Sequence, residues 1–186
     1  MPLTPLHLAV GWAVFVSSPR RWSFAGLSAG SVIPDIEVPI LYLSGVDTQT
    51  GHGVLHSIVG GLTIDVVLAV LAIYLLLPTL AVWWEGRFGH RWIHFAGADM
   101  GEIDRMPRLV YSAMAGVMIH LGIDFLTHTT MPYFWPYGAP VPTFAEARDL
   151  WWLIVVNLML LALMAVLLKR YLGKEPEEMA RLGAAS

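Results

Sequence analysis

Long apolar runs decide what this chain can fold into. Between Leu150 and Leu168 the only polar residue is Asn157. A second run, Leu55 to Trp84, is longer than a bilayer requires and is interrupted by Asp65 and Pro78. A third extends from Leu109 to about Thr127. Runs of this length read as membrane-spanning helices. Composition agrees, with 56% hydrophobic and 13% charged residues where a soluble domain carries about 25% charged. The remaining apolar stretches are weaker. Trp22 to Leu43 is broken by Pro34, Asp35, Glu37 and Pro39. Leu3 to Val16 reaches only about 21 Å as a helix, with Thr4 as expected N-cap and Pro5 at the first helical position. The expected fold class is all-α: a polytopic membrane helix bundle of about five hydrophobic segments, the first two short or broken. Residues 1–170 form a single membrane-embedded domain and 171–186 a polar tail.

The arginines and lysines orient the bundle. Arg20 and Arg21 follow the first segment, Arg87, Arg91, Arg105 and Arg108 follow the third, and Lys169, Arg170, Lys174 and Arg181 lie in the tail. The stretch from Leu43 to Leu55 has no basic residue, and that from Thr127 to Asp149 has only Arg148. Basic and neutral loops alternate, as five crossings require. The N-terminus and both neutral loops are therefore expected outside, and the C-terminus in the cytoplasm. No basic residue precedes the first apolar segment, which argues against reading it as a cleaved signal peptide.

On that map five of the seven histidines fall at the outer end of the helices, together with three acids. His7 starts the first segment, Asp35 and Glu37 lie in the outer half of the second, and His52 and His56 lead into the third. His120, Asp124 and His128 close the fourth. Ionisable groups inside a membrane are costly and mark function by default. Imidazole and carboxylate together suit a divalent metal ion. The chain has no cysteine, so thiolate sites and disulfides are excluded. The net charge of −3 gives no sign of nucleic-acid binding.

His120 and Asp124 are four apart and share a helical face, which Thr127 and His128 continue. Gly116 and Ala113 extend the stripe with small residues that let another helix approach. Taken alone, the pair fits a hydrogen bond between helices as well as a ligand pair. Pro34 breaks the helix before Asp35. Asp35 reads as a ligand; Glu37 reads as a ligand, a general base or an interfacial acid. His56 precedes Ser57 and the pair Gly60-Gly61. His7 and His52, each alone, also fit interfacial or loop histidines.

Other features have plainer readings. His90 and His94, with Asp99, Glu102 and Asp104, read as a solvated cytoplasmic loop. Asp65, nine residues after His56, is expected on the opposite helix face and about 14 Å deeper, as a buried partner between helices. The tryptophans at Trp83-Trp84, Trp135 and Trp151-Trp152 read as an aromatic belt.

His7, Ile33-Pro34-Asp35-Ile36-Glu37, His56-Ser57, the run His120-Leu121-Gly122-Ile123-Asp124-Phe125-Leu126-Thr127 and Phe134-Trp135-Pro136 follow one another in a distinctive order. In this they resemble the YdjM-type family of inner-membrane metal-dependent hydrolases. That family has an early His, Leu-Pro-Asp-x-Asp, Thr-His-Ser, His-x-x-x-Asp-x-x-Thr and Leu-Trp-Pro. The family is in turn distantly similar to the zinc-dependent phospholipase C and nuclease group. In this chain Glu37 stands where the second Asp is usual, Gly51-His52-Gly53 where His-Arg-Gly is common, and His128 where a proline is usual.

The resemblance implies a membrane hydrolase that holds one or two divalent ions, zinc first and manganese or magnesium next. Expected ligands are His7, Asp35, His56, His120, Asp124 and His128, and expected catalytic carboxylates are Asp35 and Glu37. The expected substrate is a lipid or other membrane-associated small molecule with a phosphoester or other ester bond, met at the outer face of the cytoplasmic membrane. The other function class left open is a non-enzymatic metal carrier or scaffold using the same ligands.

Overall fold

The computed structural model describes residues 6–45, 52–88, 106–144 and 150–172. His90, His94, Asp99, Glu102, Asp104, most of the basic loop around them and the tail from residue 173 lie outside the described residues. The described chain is almost wholly helical: α1 (His7–Ser17), α2 (Phe24–Gly30), a 3₁₀ turn Ile33–Ile36, α3 (Glu37–Leu43), a 3₁₀ turn Val54–His56, α4 (Ile58–Gly60), a π-helical turn Gly61–Asp65, α5 (Val66–Phe88), α6 (Met106–Thr127) and α7 (Leu150–Leu172). A two-stranded antiparallel hairpin pairs β1 (Thr130–Met131) with β2 (Val141–Pro142).

Among the described residues four helical stretches are long and apolar enough to cross a membrane: Phe24–Leu43, Ile58–Leu80, Met106–Thr127 and Trp151–Arg170. The helix His7–Ser17 is apolar but too short to do so. Five hydrophobic segments are thus present, with the first short and the second broken, as the sequence leads one to expect. α1 starts at His7 with Leu6 as N-cap and no side-chain capping bond; Thr4 and Pro5 lie outside the described residues.

The break in the second segment has its cause in Pro34, which lacks a backbone donor and sits in the first turn of the Ile33–Ile36 helix. The tighter 3₁₀ winding changes the direction of the chain between α2 and α3 and presents Asp35 inward.

Glycines and other small residues let α2 lie against α6. A Cβ on Gly30 would collide with the backbone carbonyl of Ala113, and one on Gly116 with that of Leu27. One on Gly26 would stand 2.7 Å from the Leu109 carbonyl oxygen. The backbone of Ser23 donates to Ser112 Oγ at 2.9 Å, fixing the start of α2 on α6. The small-residue stripe Ala113–Gly116 therefore does admit a second helix, and that helix is α2. The apolar core beside this contact gathers Ile33, Val66, Ala69, Ala113, Val117, Leu121 and Met131. Trp12 and Phe15 tie α1 to Leu27 and Leu167.

Asp65 closes a π-helical turn, Gly61–Asp65, at the start of the third span. A methyl group on Gly61 would stand 2.8 Å from Val117 Cγ1 and 3.7 Å from Asp65 Oδ2. Asp65 thus faces α6, the helix that carries His120. It is fully buried, as expected.

Candidate metal centre

Four separate elements, and the residue that follows the last of them, bring side chains together. His7 opens α1, Asp35 comes from the Ile33–Ile36 turn, His56 ends the Val54–His56 turn, and His120 and Asp124 lie on α6. His128 follows α6 directly, its backbone N–H bonded to the Asp124 carbonyl at 2.8 Å. All six positions singled out as ligands in the sequence meet here. His7, His56, His120 and Asp124 are essentially inaccessible to solvent.

Local chemistry explains how His56 arrives. Ser57 Oγ caps α4, accepting from Gly60 N at 2.9 Å, so the chain must bend at Ser57 and the His56 ring swings clear of the helix that follows. The bend is held from outside by Ile58 N, which donates to the Tyr133 carbonyl at 3.0 Å. Tyr133 in turn donates through its hydroxyl to Leu121 O at 3.0 Å. These bonds fasten the hairpin and the start of the third span to the end of α6.

Glu37 does not reach the centre. Its Oε2 accepts from Gly53 N at 3.0 Å and Leu55 N at 3.2 Å, and lies 3.1 Å from His56 Nδ1. Gly53 makes this possible, because a Cβ there would collide with the Glu37 carboxylate. His56 therefore donates from Nδ1 and keeps the lone pair of Nε2 for the centre. His120 is set the same way by a different partner, its Nδ1 donating to the Ser31 carbonyl at 2.9 Å. An imidazole whose far nitrogen is fixed by a carboxylate or carbonyl is the usual arrangement of a metal-binding histidine.

Four donor atoms face one another. His56 Nε2 is 3.7 Å from Asp35 Oδ1 and 3.7 Å from Asp124 Oδ2. His120 Nε2 is 3.6 Å from Asp35 Oδ1 and 3.0 Å from Asp124 Oδ2. A tetrahedral ion with bonds of about 2.0–2.1 Å holds its ligands roughly 3.3–3.4 Å apart, inside the observed range. His56 Nε2, His120 Nε2 and Asp124 Oδ2 are buried and make no hydrogen bond among the described residues. The 3.0 Å approach of His120 Nε2 to Asp124 Oδ2 is thus a close contact without hydrogen-bond alignment. A buried polar atom left in this way is expensive, and a cation removes the expense. Two three-residue groups can hold a metal ion, His7 with Asp35 and His120, and His56 with His120 and Asp124.

The second layer is also aromatic. His7 stacks on His120 with ring centroids 4.3 Å apart. His52 stacks on His56 at 4.3 Å and meets His128 edge-on at 4.7 Å. His52, which the sequence left open between a loop residue and a functional one, belongs to the cluster's wall. Burial depresses its basicity to about 3, helped by His56 and His128. For His56, burial acts in the same direction but is outweighed by Asp35, Glu37 and Asp124, which raise it to about 9.

The Ser31 carbonyl and the Gly53 cradle had no signal in the sequence, since backbone groups carry no residue code. The cap at Ser57 was readable from a serine before an apolar helical run.

No curated protein and no solved structure matches the chain significantly. A family profile does, over residues 1–138, a stretch that contains every residue of the cluster. Its description is that of a domain of unknown function, so the match leaves the YdjM-type hydrolase assignment unconfirmed. With most of its length matched, the chain belongs to that uncharacterised family, DUF4184.

Proposed function

We propose that this protein is a membrane-embedded, metal-dependent hydrolase that cleaves a phosphoester or other ester bond in a lipid-like substrate. The observation that carries the reading is the buried trio His56, His120 and Asp124, three side chains that could hold one metal ion and leave a tetrahedral position for water, with Asp35 Oδ1 beside it at 3.6–3.7 Å from both histidines. Imidazole and carboxylate donors without any thiolate suit zinc first, with manganese or magnesium next. A divalent ion bound there supplies a Lewis acid and lowers the pKa of its water.

The chain's own residues divide the remaining work. His56 and His120 hold their Nε2 lone pairs inward because Glu37 and the Ser31 carbonyl occupy their Nδ1 protons. Asp35 is the most solvent-reaching of the ligand carboxylates, 19% exposed at its side chain against 1% for Asp124. It is the group placed to take a proton from an attacking water. Glu37, engaged by two backbone donors and His56, is a positioning residue. The basic-loop pattern supports a centre at the extracytoplasmic side of a cytoplasmic membrane, within reach of a substrate that stays in the bilayer.

The decisive experiment is metal analysis of the detergent-purified protein, followed by assay against phospholipids and isoprenoid phosphates with zinc, manganese or magnesium. Bound metal with turnover that disappears in Asp35→Asn supports the hydrolase. Metal without turnover on any lipid favours a carrier or scaffold.

One observation belongs to that second reading. Asp65 is fully buried and both its carboxylate oxygens lack a hydrogen-bond partner among the described residues, as on an ion path. Past it, however, the helices meet through Val66, Ala69, Ile73, Ala113 and Leu109, all buried and apolar. Proteoliposome metal flux that stops in Asp65→Asn would establish transport; absence of flux in the parent protein leaves the hydrolase.

A further inference from the structure

The chain leaves the C-terminal end of α6 into a hairpin whose tip carries aromatic rings and no charge. Thr130 pairs with Pro142 and Met131 with Val141, and residues 132–140 form the tip between them. No Asp, Glu, Lys or Arg occurs from 128 to 145. Tyr133 turns inward onto the apolar core, but Phe134, Trp135 and Tyr137 are 58%, 44% and 92% exposed. The backbone of the tip is also poor in donors that need water. Pro132, Pro136 and Pro140 have no N–H. The N–H groups of Trp135 and Tyr137 are bonded within the tip, to the Pro132 carbonyl at 3.0 Å and the Phe134 carbonyl at 2.8 Å. Exposed rings without a neighbouring charge mark a surface that is covered in use, and a backbone with few unmet donors lowers the cost of covering it.

The rings continue the exposed apolar face of the spans. On one side of the hairpin Tyr133 meets the exposed Phe125 of α6, with ring centroids 6.4 Å apart. On the other side Phe144 meets Trp152 of α7 at 5.3 Å, and Trp152 Nε1 donates to the Leu126 carbonyl at 2.8 Å. We infer that the hairpin tip, Phe134 to Tyr137, is a membrane anchor docked in the headgroup-and-ester layer of the bilayer. Non-helical backbone is not tolerated against the hydrocarbon core, and tyrosine and tryptophan settle at the interface above it. With no basic residue in the hairpin, the anchor needs no anionic lipid. The hairpin is also bonded to the candidate metal centre. Ile58 N donates to the Tyr133 carbonyl at 3.0 Å, two residues after His56, and Thr143 Oγ1 donates to the carbonyl of His128. The depth of the tip therefore sets the depth of the cluster, beside the layer where lipid phosphates and esters lie. The inference rests on the membrane reading of the helices and is independent of the metal.

The chain has no cysteine, so Tyr137→Cys puts its sole thiol at the tip, at a position 92% exposed that the fold does not need. The full-length variant, labelled there with an environment-sensitive fluorophore and reconstituted in phosphatidylcholine nanodiscs, is read with three quenchers: aqueous iodide, a lipid nitroxide near the headgroup and a lipid nitroxide near the end of the acyl chain. The headgroup nitroxide should quench most, to the same degree with and without added phosphatidylglycerol. Leu158→Cys, on the exposed face of α7, is the hydrocarbon reference and should respond most to the chain-end nitroxide. Adding Phe134→Ser and Trp135→Ser to Tyr137→Cys should open the label to iodide. Dominant iodide quenching of Tyr137→Cys places the tip in water and overturns the inference. Protection from all three quenchers means that protein, such as a second copy of the chain, covers the tip, and overturns it equally. Headgroup quenching that requires phosphatidylglycerol overturns the uncharged anchor, and a label that the serine pair leaves in place overturns the role of the two rings. Zinc content of the unlabelled protein tests the metal reading separately.

Discussion

Glu37 Oε2 lies 3.1 Å from Nδ1 of His56, and this contact aims the opposite nitrogen of the ring at Asp35 and Asp124. The glutamate is itself immobilised by the backbone N–H groups of Gly53 and Leu55. Its role is orientation, so Glu37→Gln should weaken metal binding by about 10–100-fold, the usual effect of losing a partner that orients a ligand, without removing the site. Asp35→Asn should cost about 10²–10⁴-fold in turnover at saturating metal. Metal titrations and rates on the two variants separate these roles; equal and complete loss of turnover in Glu37→Gln at saturating metal would make Glu37 the proton acceptor instead.

His120→Ala removes a ligand at the centre and leaves the Ser31 carbonyl without its donor. The variant should lose high-affinity metal. Because an ion that binds only the folded state stabilises it by about 2.7 kcal/mol at a hundred times its dissociation constant, added zinc should raise the thermal midpoint of the parent protein. Chelation should lower it, and both responses should vanish in His120→Ala. A metal-dependent shift of equal size in the variant would place the ion elsewhere.

The α2–α6 contact depends on missing side chains. Gly116→Ala puts a methyl group into the Leu27 carbonyl, a backbone atom that cannot step aside, and overpacking of this kind costs about 1–3 kcal/mol. Gly122→Ala is the control, since nothing lies within 4 Å of its added carbon. Thermal unfolding in detergent should rank Gly116→Ala clearly below the parent and Gly122→Ala near it. Equal midpoints for the two variants would mean the helices are further apart than described.

Topology is checked with reporter fusions. The alternation of basic and neutral loops predicts that a reporter after Ser44 and one after Ser186 lie on opposite sides of the membrane, the first outside. The same side for both would remove the extracytoplasmic placement of the centre.

The sequence by itself determined the membrane-helix class and picked out the ionisable side chains that cluster. Long apolar runs leave a chain little choice but helices in a bilayer, because the backbone must satisfy its own hydrogen bonds there. Histidines and acids within such runs are too expensive to be incidental, and this singled out His7, Asp35, His56, His120, Asp124 and His128 from residue type and position alone. Pro34 likewise marked the break that turns Asp35 inward.

Only the tertiary structure decided how those residues share the work. Glu37 and His56 are nineteen positions apart, and the cradle that joins them depends on Gly53 having no Cβ, which spacing along one helix does not encode. The π turn at Gly61–Asp65 likewise has no mark in the sequence. The meeting of His7 and His56 with Asp124 exists only once α1, the His56 bend and the end of α6 are packed together. Periodicity describes one element at a time; a cluster built from four of them is set by how their backbones cross.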